Sequence, residues 1–151
     1  MKRLLPFVLA AFFAPIAVAE AILDADGQPV FISMNDADLS QFKWKKRPVV
    51  VFADSPLDPA FETQMDLLRQ RPEELIARDV VVITDTSPEE NSELRRRLRP
   101  RGFMLVLVNK EGQVNVRKPF PWDVREVSRS IDKMPIRKRE IRDAKERATE
   151  G

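Results

Sequence analysis

Three apolar runs, separated by segments with helical periodicity, organise the chain. Residues 49–52, 80–83 and 103–108 are continuous runs of β-branched, aromatic and other apolar side chains, which is typical of strands buried on both faces of a sheet. Between the first two runs, the apolar residues of segment 61–68 recur at the spacing of one helix face. The pattern therefore predicts strands that alternate with helices.

Polar residues mark where the predicted helices begin. Asp58 can cap free N–H groups with its carboxylate and Pro59 suits the first helical position, so a helix is predicted to begin here. The sequence Ser-Pro-Glu-Glu at residues 87–90 has the form of a capping box and predicts a short helix that ends near Leu98. A further amphipathic helix is predicted over residues 123–134.

Turns and charged segments complete the outline. Asn-Lys-Glu-Gly at residues 109–112 predicts a hairpin turn, and the alternating residues 114–117 predict the edge strand that follows it. Residues 20–43 form an N-terminal arm with an Asp-Gly turn at residues 24–27, and we place this arm outside the core sheet. Residues 136–151 carry few apolar groups and predict a solvated, partly frayed charged helix.

The order of these elements is strand, helix, strand, helix, strand, hairpin, strand, helix. It predicts an α/β fold in which right-handed crossovers join parallel strands and the final hairpin adds an antiparallel edge. About 130 residues make one ordinary domain, which we place at residues 44–135. The expected architecture is a three-layer sandwich, a mixed central sheet with helices on both faces, plus the solvated C-terminal helix. This is the minimal thioredoxin topology.

The first residues have the pattern of a secretory signal peptide. A basic start, Met1-Lys2-Arg3, precedes the apolar run 4–17, and Ala17-Val18-Ala19 offers a small-residue cleavage site before Glu20. An uncleaved membrane anchor is the alternative, but a spanning helix needs about 20 apolar residues and this run is shorter. We therefore expect residues 1–19 to be removed and the mature chain, without a transmembrane helix, to be periplasmic or secreted.

Composition excludes several classes of chemistry. The chain contains no cysteine and no histidine, so it has no thiolate for redox catalysis, no Ser-His-Asp relay and no Cys or His metal ligand. Without residues 1–19 the mature chain holds 24 basic and 24 acidic side chains. That balance lacks the basic surplus of a nucleic-acid-binding domain, so no nucleic-acid partner is expected.

Two segments resemble thioredoxin in register. Residues 101–112 resemble the thioredoxin segment that runs Arg-Gly-Ile-Pro-Thr, four apolar residues, and Lys-Asn-Gly. Residues 50–60 match the spacing of the strand, the four-residue approach and the Cys-Gly-Pro-Cys motif. The departures fall at the active centre: Leu57 and Ala60 stand in place of the two cysteines, and Met104 in place of the facing proline. The resemblance thus implies a thioredoxin-like fold whose active-site position is vestigial.

Most of the chain, about residues 36 to 142, resembles the peroxiredoxin-like P-DUDES domain family of the DUF4174 type. This domain of unknown function occurs in exported bacterial proteins and is repeated in vertebrate secreted and matrix proteins. The segments that carry the resemblance are 44–52, 77–82, 102–112 and 131–137. The resemblance implies the fold, and it brings no established chemistry that could be assigned to single residues.

Residues around the altered active centre are the candidates for a ligand site. The helix start presents N–H groups that can hold an anion or a carbonyl, but we interpret Asp58 as their cap. Ser55 lies near carboxylates as a nucleophile would, but without a histidine base we interpret it as a turn residue. No catalytic residue, cofactor or metal ligand is assigned. The candidate ligand-binding residues are Asp54, Ser55, Asp58, Arg101, Met104 and Trp122.

Charge and aromatic side chains give weaker signals. The arginines of segment 95–101 have the chemistry to bind phosphate or carboxylate groups, but Glu89, Glu90 and Glu93 lie within one to two helical turns as ion-pair partners. We therefore interpret this run as a solvated face. The aromatic candidates for a recognition surface, which we interpret as core or lid packing, are Trp44, Phe120 and Trp122.

The sequence supports three functional hypotheses. The first is a non-catalytic periplasmic interaction module that binds a protein, peptide or envelope component around Asp54–Ala60 and Phe103–Met104. The alternative is an enzyme of unrecognised type that uses Asp54, Ser55 and Asp58. In the third, the charged C-terminal helix mediates self-association or docking to the envelope.

Overall fold

A five-stranded mixed sheet lies at the centre of the fold, in a computed structural model that describes residues 20–33 and 38–151. The predicted signal peptide, residues 1–19, lies outside the described residues. The strand order is β1-β3-β2-β4-β5, with β1, β3 and β2 parallel and β4 and β5 antiparallel to their neighbours. The strands are β1 (Phe31–Ser33), β2 (Arg47–Phe52), β3 (Val80–Asp85), β4 (Met104–Val108) and β5 (Val114–Lys118).

Helices cover both faces of this sheet, which confirms the predicted three-layer α/β sandwich. Helices α1, α2 and α4 pack on one face and α3 packs on the other. Short 3-10 turns occupy Leu39–Phe42 and Pro88–Glu90. The helices are α1 (Pro59–Arg69), α2 (Pro72–Ile76), α3 (Glu93–Leu98), α4 (Val124–Asp132) and α5 (Pro135–Glu150).

Alternation along the central strands divides the apolar core into two clusters. Val49 and Val51 of β2 point into the cluster with α1, α2 and α4, and Val50 and Phe52 point into the cluster with α3. All four side chains are buried, because helices lie above and below them. The continuous apolar runs of the sequence were therefore a correct signal for strands buried on both faces.

The N-terminal arm was wrongly placed outside the sheet. Residues Phe31–Ser33 form β1, an edge strand that pairs in parallel with β3 at the register Phe31 to Val82. The amide of Val82 also donates to the carbonyl of Val30 at 2.7 Å, and Val30 is buried. A three-residue edge strand owes its conformation to this distant partner, so its own sequence carries little signal.

The helix start predicted at Ser87 was also wrong. Ser87 makes no side-chain cap, and the 3-10 turn after it ends where Asn91 takes a left-handed conformation with φ 44°. Helix α3 begins after Ser92, whose Oγ accepts from the amide of Arg95 at 3.1 Å. Ser87 instead donates its amide to the side chain of Asp85, which organises this connection.

Helix α5 is continuous to Glu150, and none of its residues is buried, as expected of a solvated helix. It is nevertheless attached to the sheet, because Glu140 accepts hydrogen bonds from Arg47 and Lys110. Among the described residues, no helix is both long and apolar enough to span a bilayer.

Candidate functional site

The altered active centre lies at the end of the sheet where β2 and β3 finish and β4 begins. We call residues 54–60 and 101–104 the apical surface. Met104 pairs directly with Phe52, the last residue of β2, so the two segments that resemble thioredoxin meet at this end. Lys118 pairs with Leu105, which brings the segment 118–122 to the same end.

The two polar candidates at the start of α1 form local backbone caps. Asp58 Oδ1 accepts from the amide of Ala60 at 2.9 Å, which confirms the predicted N-cap. Ser55 Oγ accepts from the amide of Leu57 at 3.1 Å, and the Ser55 carbonyl accepts from the amide of Asp58. Both side chains therefore help to shape this loop. Asp54 is exposed at the beginning of the loop.

A buried ion pair lies directly beneath the loop. The side chain of Asp85, at the end of β3, is 0% exposed, and that of Arg95, in α3, is 9% exposed. Arg95 Nε donates to Asp85 Oδ1 at 2.9 Å, and Arg95 Nη2 donates to the carbonyls of Ala53 at 2.7 Å and Asp85 at 3.0 Å. Ala53 is the residue before Asp54, so the guanidinium fixes the point where the apical loop leaves the sheet.

The remaining oxygen of the Asp85 carboxylate is also bonded. Ser92 Oγ donates to Asp85 Oδ2 at 2.6 Å, and the Ser87 amide donates to Oδ1 at 3.2 Å. The Arg95 guanidinium carbon lies 5.4 Å from the centre of the Phe52 ring, a cation–π distance. A buried charge pair with this many partners holds the ends of β2, β3 and α3 in one arrangement.

The interpretation of the arginine run as a wholly solvated face was therefore wrong for Arg95. Its partner is Asp85, and within the part of the chain that the structure describes no ion pair joins the run to Glu89, Glu90 or Glu93. Arg96 and Arg97 are exposed and donate to backbone carbonyls. The available signal was Asp85 itself, a carboxylate that continues a buried apolar strand and so requires a buried cation.

Apolar side chains face solvent at the same end of the sheet as this buried pair. Leu57, which stands in place of the first cysteine, is 76% exposed at the tip of the apical loop. Met104 is half-buried, and Phe120 is exposed in the neighbouring segment. Arg101 is exposed beside Met104 and supplies a cation to the same surface.

Trp122 is held in place by a buried glutamine that the sequence analysis missed. Gln64 of α1 is completely buried; its Nε2 donates to the Trp122 carbonyl at 2.6 Å, and its Oε1 accepts from the Trp122 amide at 2.8 Å. Lys118 Nζ lies 4.8 Å from the centre of the Trp122 indole. Trp122 packs partly against the core, in line with a packing role. The signal for its contact with Gln64 was a polar residue on the apolar face of α1.

Several concave regions of the structure lie away from the apical surface. Four of those in the described residues are lined entirely by residues outside it. The peptide bond before Met104 is trans, like every other peptide bond that the structure describes. Residues 20–33 and 38–151 contain no group of three or more carboxylates placed to hold a metal ion.

The opposite end of the sheet holds a second, more open set of ion pairs, the basal network of Arg47, Asp79, Lys110 and Glu140. Arg47 is buried at the start of β2, and its Nη1 donates to the Arg78 carbonyl while its Nη2 donates to Glu140 Oε1 at 3.1 Å. Lys110 Nζ donates to Glu140 Oε1 at 2.7 Å and to Asp79 Oδ2 at 2.8 Å. These contacts fasten α5 to the sheet.

Two carboxyl groups at this end are held ionised. A bidentate pair with Arg78, both distances 3.0 Å, keeps the pKa of Asp132 below its ordinary value. Burial opposes ionisation of Glu140, but hydrogen bonds from Lys110 and Arg47 outweigh it and the pKa is lowered. The buried Nε of Arg47 has no partner among the described residues, so this network is less completely satisfied there than the apical pair.

Comparisons with known proteins agree with this geometry. The family described as "Domain of unknown function (DUF4174)" matches residues 38–140. No curated protein matches significantly. The reduced 2-Cys peroxiredoxin of Plasmodium vivax is similar with a TM-score of 0.53 and 15% identity, over 64% of this chain and 81% of that one.

Two further solved structures are similar over comparable lengths. Prx1a of Plasmodium yoelii has a TM-score of 0.50 and 17% identity, over 64% of this chain and 77% of that one. StoA of Bacillus subtilis has a TM-score of 0.39 and 7% identity, over 74% of this chain and 94% of that one. At the identities and TM-scores of the two Plasmodium structures, the likeness concerns the fold alone, which is thioredoxin-like.

Proposed function

The chain belongs to the DUF4174 family, and on the thioredoxin-like fold of this member, which lacks cysteine, we propose a non-catalytic binding module that acts outside the cytoplasm. Its ligand is a peptide or a protein segment, and it binds at the apical surface. The C-terminal helix α5 does not belong to this binding surface, because Glu140 attaches it to the opposite end of the sheet.

One observation carries the proposal: a loop that exposes Leu57 rests on a buried ion pair. Leu57 is 76% exposed, whereas the Asp85 side chain beneath the loop is 0% exposed and fully hydrogen-bonded. An exposed apolar side chain is unremarkable when its loop is free to move, but here Arg95 holds the base of the loop through the Ala53 carbonyl. Such preorganisation lowers the entropic cost of binding.

The shape of this surface favours a peptide or protein over a small molecule. Small-molecule sites are concave and bury most of their ligand, whereas Leu57 of the apical surface is 76% exposed. Leu57, Met104 and Phe120 supply apolar contact area, and Arg101 supplies a polar rim. Apolar centres with polar rims are typical of protein interfaces.

Local capping argues against the enzymatic alternative. A serine nucleophile needs a base that takes its proton, and the chain has no histidine to serve as one. Ser55 Oγ and Asp58 Oδ1 instead cap amides of their own loop. If the protein were an enzyme that used Asp54, Ser55 and Asp58, an activity lost in both Ser55→Ala and Asp58→Ala would be found. We expect neither substitution to remove binding.

The location outside the cytoplasm rests on the secretory pattern of residues 1–19. Mass spectrometry of the protein purified from the cells that make it tests this point. We expect an N-terminus at Glu20. A chain that retains Met1 would contradict export by cleavage.

Site-specific photocrosslinking in those cells tests the binding face. A photoreactive p-benzoylphenylalanine replaces Leu57 in one variant and Leu23 in another; Leu23 is a matched control because it is a 50% exposed leucine in the N-terminal turn. We expect a defined adduct from position 57 that is absent from position 23 and that disappears when Met104→Asp is added. The same adducts from both positions, or none from position 57, would rule out the apical surface as the binding face.

A further inference from the structure

A mostly apolar cavity of about 460 Å³ lies at the end of the sheet opposite the apical surface. It opens between the N-terminal turn, strand β1 and the 3-10 turn Leu39–Phe42, next to the first residues of β3. We call it the hairpin cavity, after the N-terminal turn that the bridge between Leu23 and Pro29 closes. Neither the apical surface nor the basal network includes any of its lining residues.

The uneven covering of the two sheet faces explains why a cavity forms here. Among the described residues, the core cluster under α1, α2 and α4 has fourteen buried members, and the cluster under α3 has eight. Helix α3 has only six residues, and its buried leucines pack with residues of β2 and β4 and with Ile83 of β3. The first residues of β3 and the neighbouring part of β1 border the cavity together with the N-terminal turn and the 3-10 turn.

The walls of the hairpin cavity suit an apolar chain. Pro29, Ile32, Phe42 and Val81 line it, and Ile32 and Phe42 also pack against the α3 core cluster. A volume of about 460 Å³ falls within the range of small-molecule sites. The cavity thus has the size and the lining of a ligand site.

Its rim carries one cation in excess. Lys46 is paired with Asp24, and hydrogen bonds from Lys46 and from the Gln28 amide lower the pKa of Asp24, so this pair is neutral as a unit. Lys45 also lines the cavity, is exposed, and has no ion-pair partner in the part of the chain that the structure describes. A ligand that occupies the cavity meets this lysine at the opening.

We propose that the hairpin cavity binds an aliphatic carboxylate, with the alkyl chain against Ile32, Phe42 and Val81 and the carboxylate at Lys45. The single unpaired lysine matches a singly charged head group, and no arginine lines the cavity for bidentate binding of a phosphate. This site is independent of peptide binding at the apical surface, since the two lie at opposite ends of the sheet.

Isothermal titration calorimetry of the purified protein with octanoate, hexanoate, acetate and 1-octanol tests the proposal. We expect saturable binding of octanoate, about fifteenfold weaker binding of hexanoate because two methylenes are lost, and no binding of acetate. Uncharged 1-octanol should bind more weakly than octanoate. Affinity that does not depend on chain length, or no saturable binding of octanoate, would overturn the proposal.

Charge reversal at the rim separates specific binding from general attraction of anions. Lys45→Glu should weaken octanoate binding about tenfold or more while leaving 1-octanol unchanged. Lys138→Glu is the matched control, because Lys138 is an exposed lysine of α5 that does not line the cavity. Equal losses in the two variants would contradict a carboxylate site at Lys45.

A filling substitution tests the apolar wall. Ile32→Trp places a larger side chain in the cavity and should remove binding of both octanoate and 1-octanol from a variant whose thermal unfolding remains cooperative. Wild-type affinity in such a folded variant would overturn the placement of the chain. The rim variants, which change exposed residues only, decide the question if Ile32→Trp does not fold.

Discussion

Two buried arginines, Arg95 and Arg47, lie at opposite ends of the same sheet, and their partners differ. Arg95 meets a carboxylate that is 0% exposed, and Arg47 meets Glu140, whose side chain is 26% exposed. Arg95 donates to three oxygens at the end of two strands, whereas Arg47 keeps its Nε without a partner. The enclosed pair fixes a loop, and the open network fastens a helix.

The difference indicates which end of the sheet has the more firmly fixed conformation. The apical pair joins residues ten positions apart and sets the exit of the chain from β2. The basal network joins Arg47 to Glu140, 93 positions away, and so depends on contacts between distant parts of the chain. A rigid loop that presents Leu57 to solvent is expected at a binding surface, and a solvated helix held by partly exposed charges is expected to be an attachment.

The largest predicted effect comes from breaking the apical pair. Asp85→Ala should lower the free energy of unfolding by about 3–5 kcal/mol, because it leaves the Arg95 guanidinium buried without a counter-charge. Denaturant unfolding measures this loss. Glu93→Gln is the control, because Glu93 is an exposed acid in α3, the helix that contains Arg95. It should change the free energy of unfolding by less than about 0.5 kcal/mol.

A double substitution sharpens the same test. In Asp85→Leu with Arg95→Met both charges are removed together, so the cost of an unpaired buried charge disappears and part of the stability should return. A double variant no more stable than Asp85→Ala would mean that geometry, and not charge pairing, dominates at this end.

The basal network should respond less strongly. Glu140→Gln is expected to cost about 1–2 kcal/mol, since Arg47 keeps its bond to the Arg78 carbonyl and solvent reaches the Glu140 side chain. Amide hydrogen exchange should rise first in α5. If Glu140→Gln lowered the free energy of unfolding as much as Asp85→Ala does, the predicted contrast between the two ends of the sheet would be contradicted.

Acid should weaken the basal end in a defined window. The pKa values of Glu140 and Asp132 lie below their ordinary values of 4.5 and 3.8. Because folding lowers these two pKa values, the ionised carboxylates stabilise the folded state. This stabilisation is complete above the ordinary pKa values and is lost as the pH falls from about 4.5 through the folded pKa values. The stability difference between wild type and Glu140→Gln should therefore stay constant from pH 7 to about pH 4.5 and shrink as the pH falls further. A difference that does not shrink below about pH 4.5 would contradict this origin.

The smallest predicted effect on stability belongs to the apical surface itself. Leu57→Asp should change the free energy of unfolding by less than about 0.5 kcal/mol, because the side chain is mostly in solvent. Thermal and denaturant unfolding check this value. A loss above about 1 kcal/mol would show that Leu57 packs as a structural residue.

The sequence predicted those features that depend on local pattern. The buried strands followed from continuous apolar runs, the cap at Asp58 from its position before Pro59, and the turn at residues 109–112 from its glycine, which has φ 83°. Periodicity and capping act within a few residues, so they are visible in the chain without its fold.

Features that depend on distant partners were missed. Strand β1 exists because β3 lies beside it, and Arg95 is buried because Asp85 reaches it from the end of another strand. Neighbouring glutamates suggested that Arg95 is a surface residue. The stronger signal was Asp85, because a carboxylate at the end of a buried strand needs a buried cation as its partner. Gln64 shows the same logic, since its partner Trp122 lies 58 positions away.

Peptide binding tests the central claim most directly. Short peptides are selected from a random library against the whole protein, without directing the choice of site, and their dissociation constants are measured for wild type, Leu57→Asp and the matched control Leu23→Asp. We predict that Leu57→Asp weakens the selected peptides about tenfold or more and that Leu23→Asp leaves them unchanged. Peptides that lose affinity with Leu23→Asp and keep it with Leu57→Asp would contradict a binding function for the apical surface.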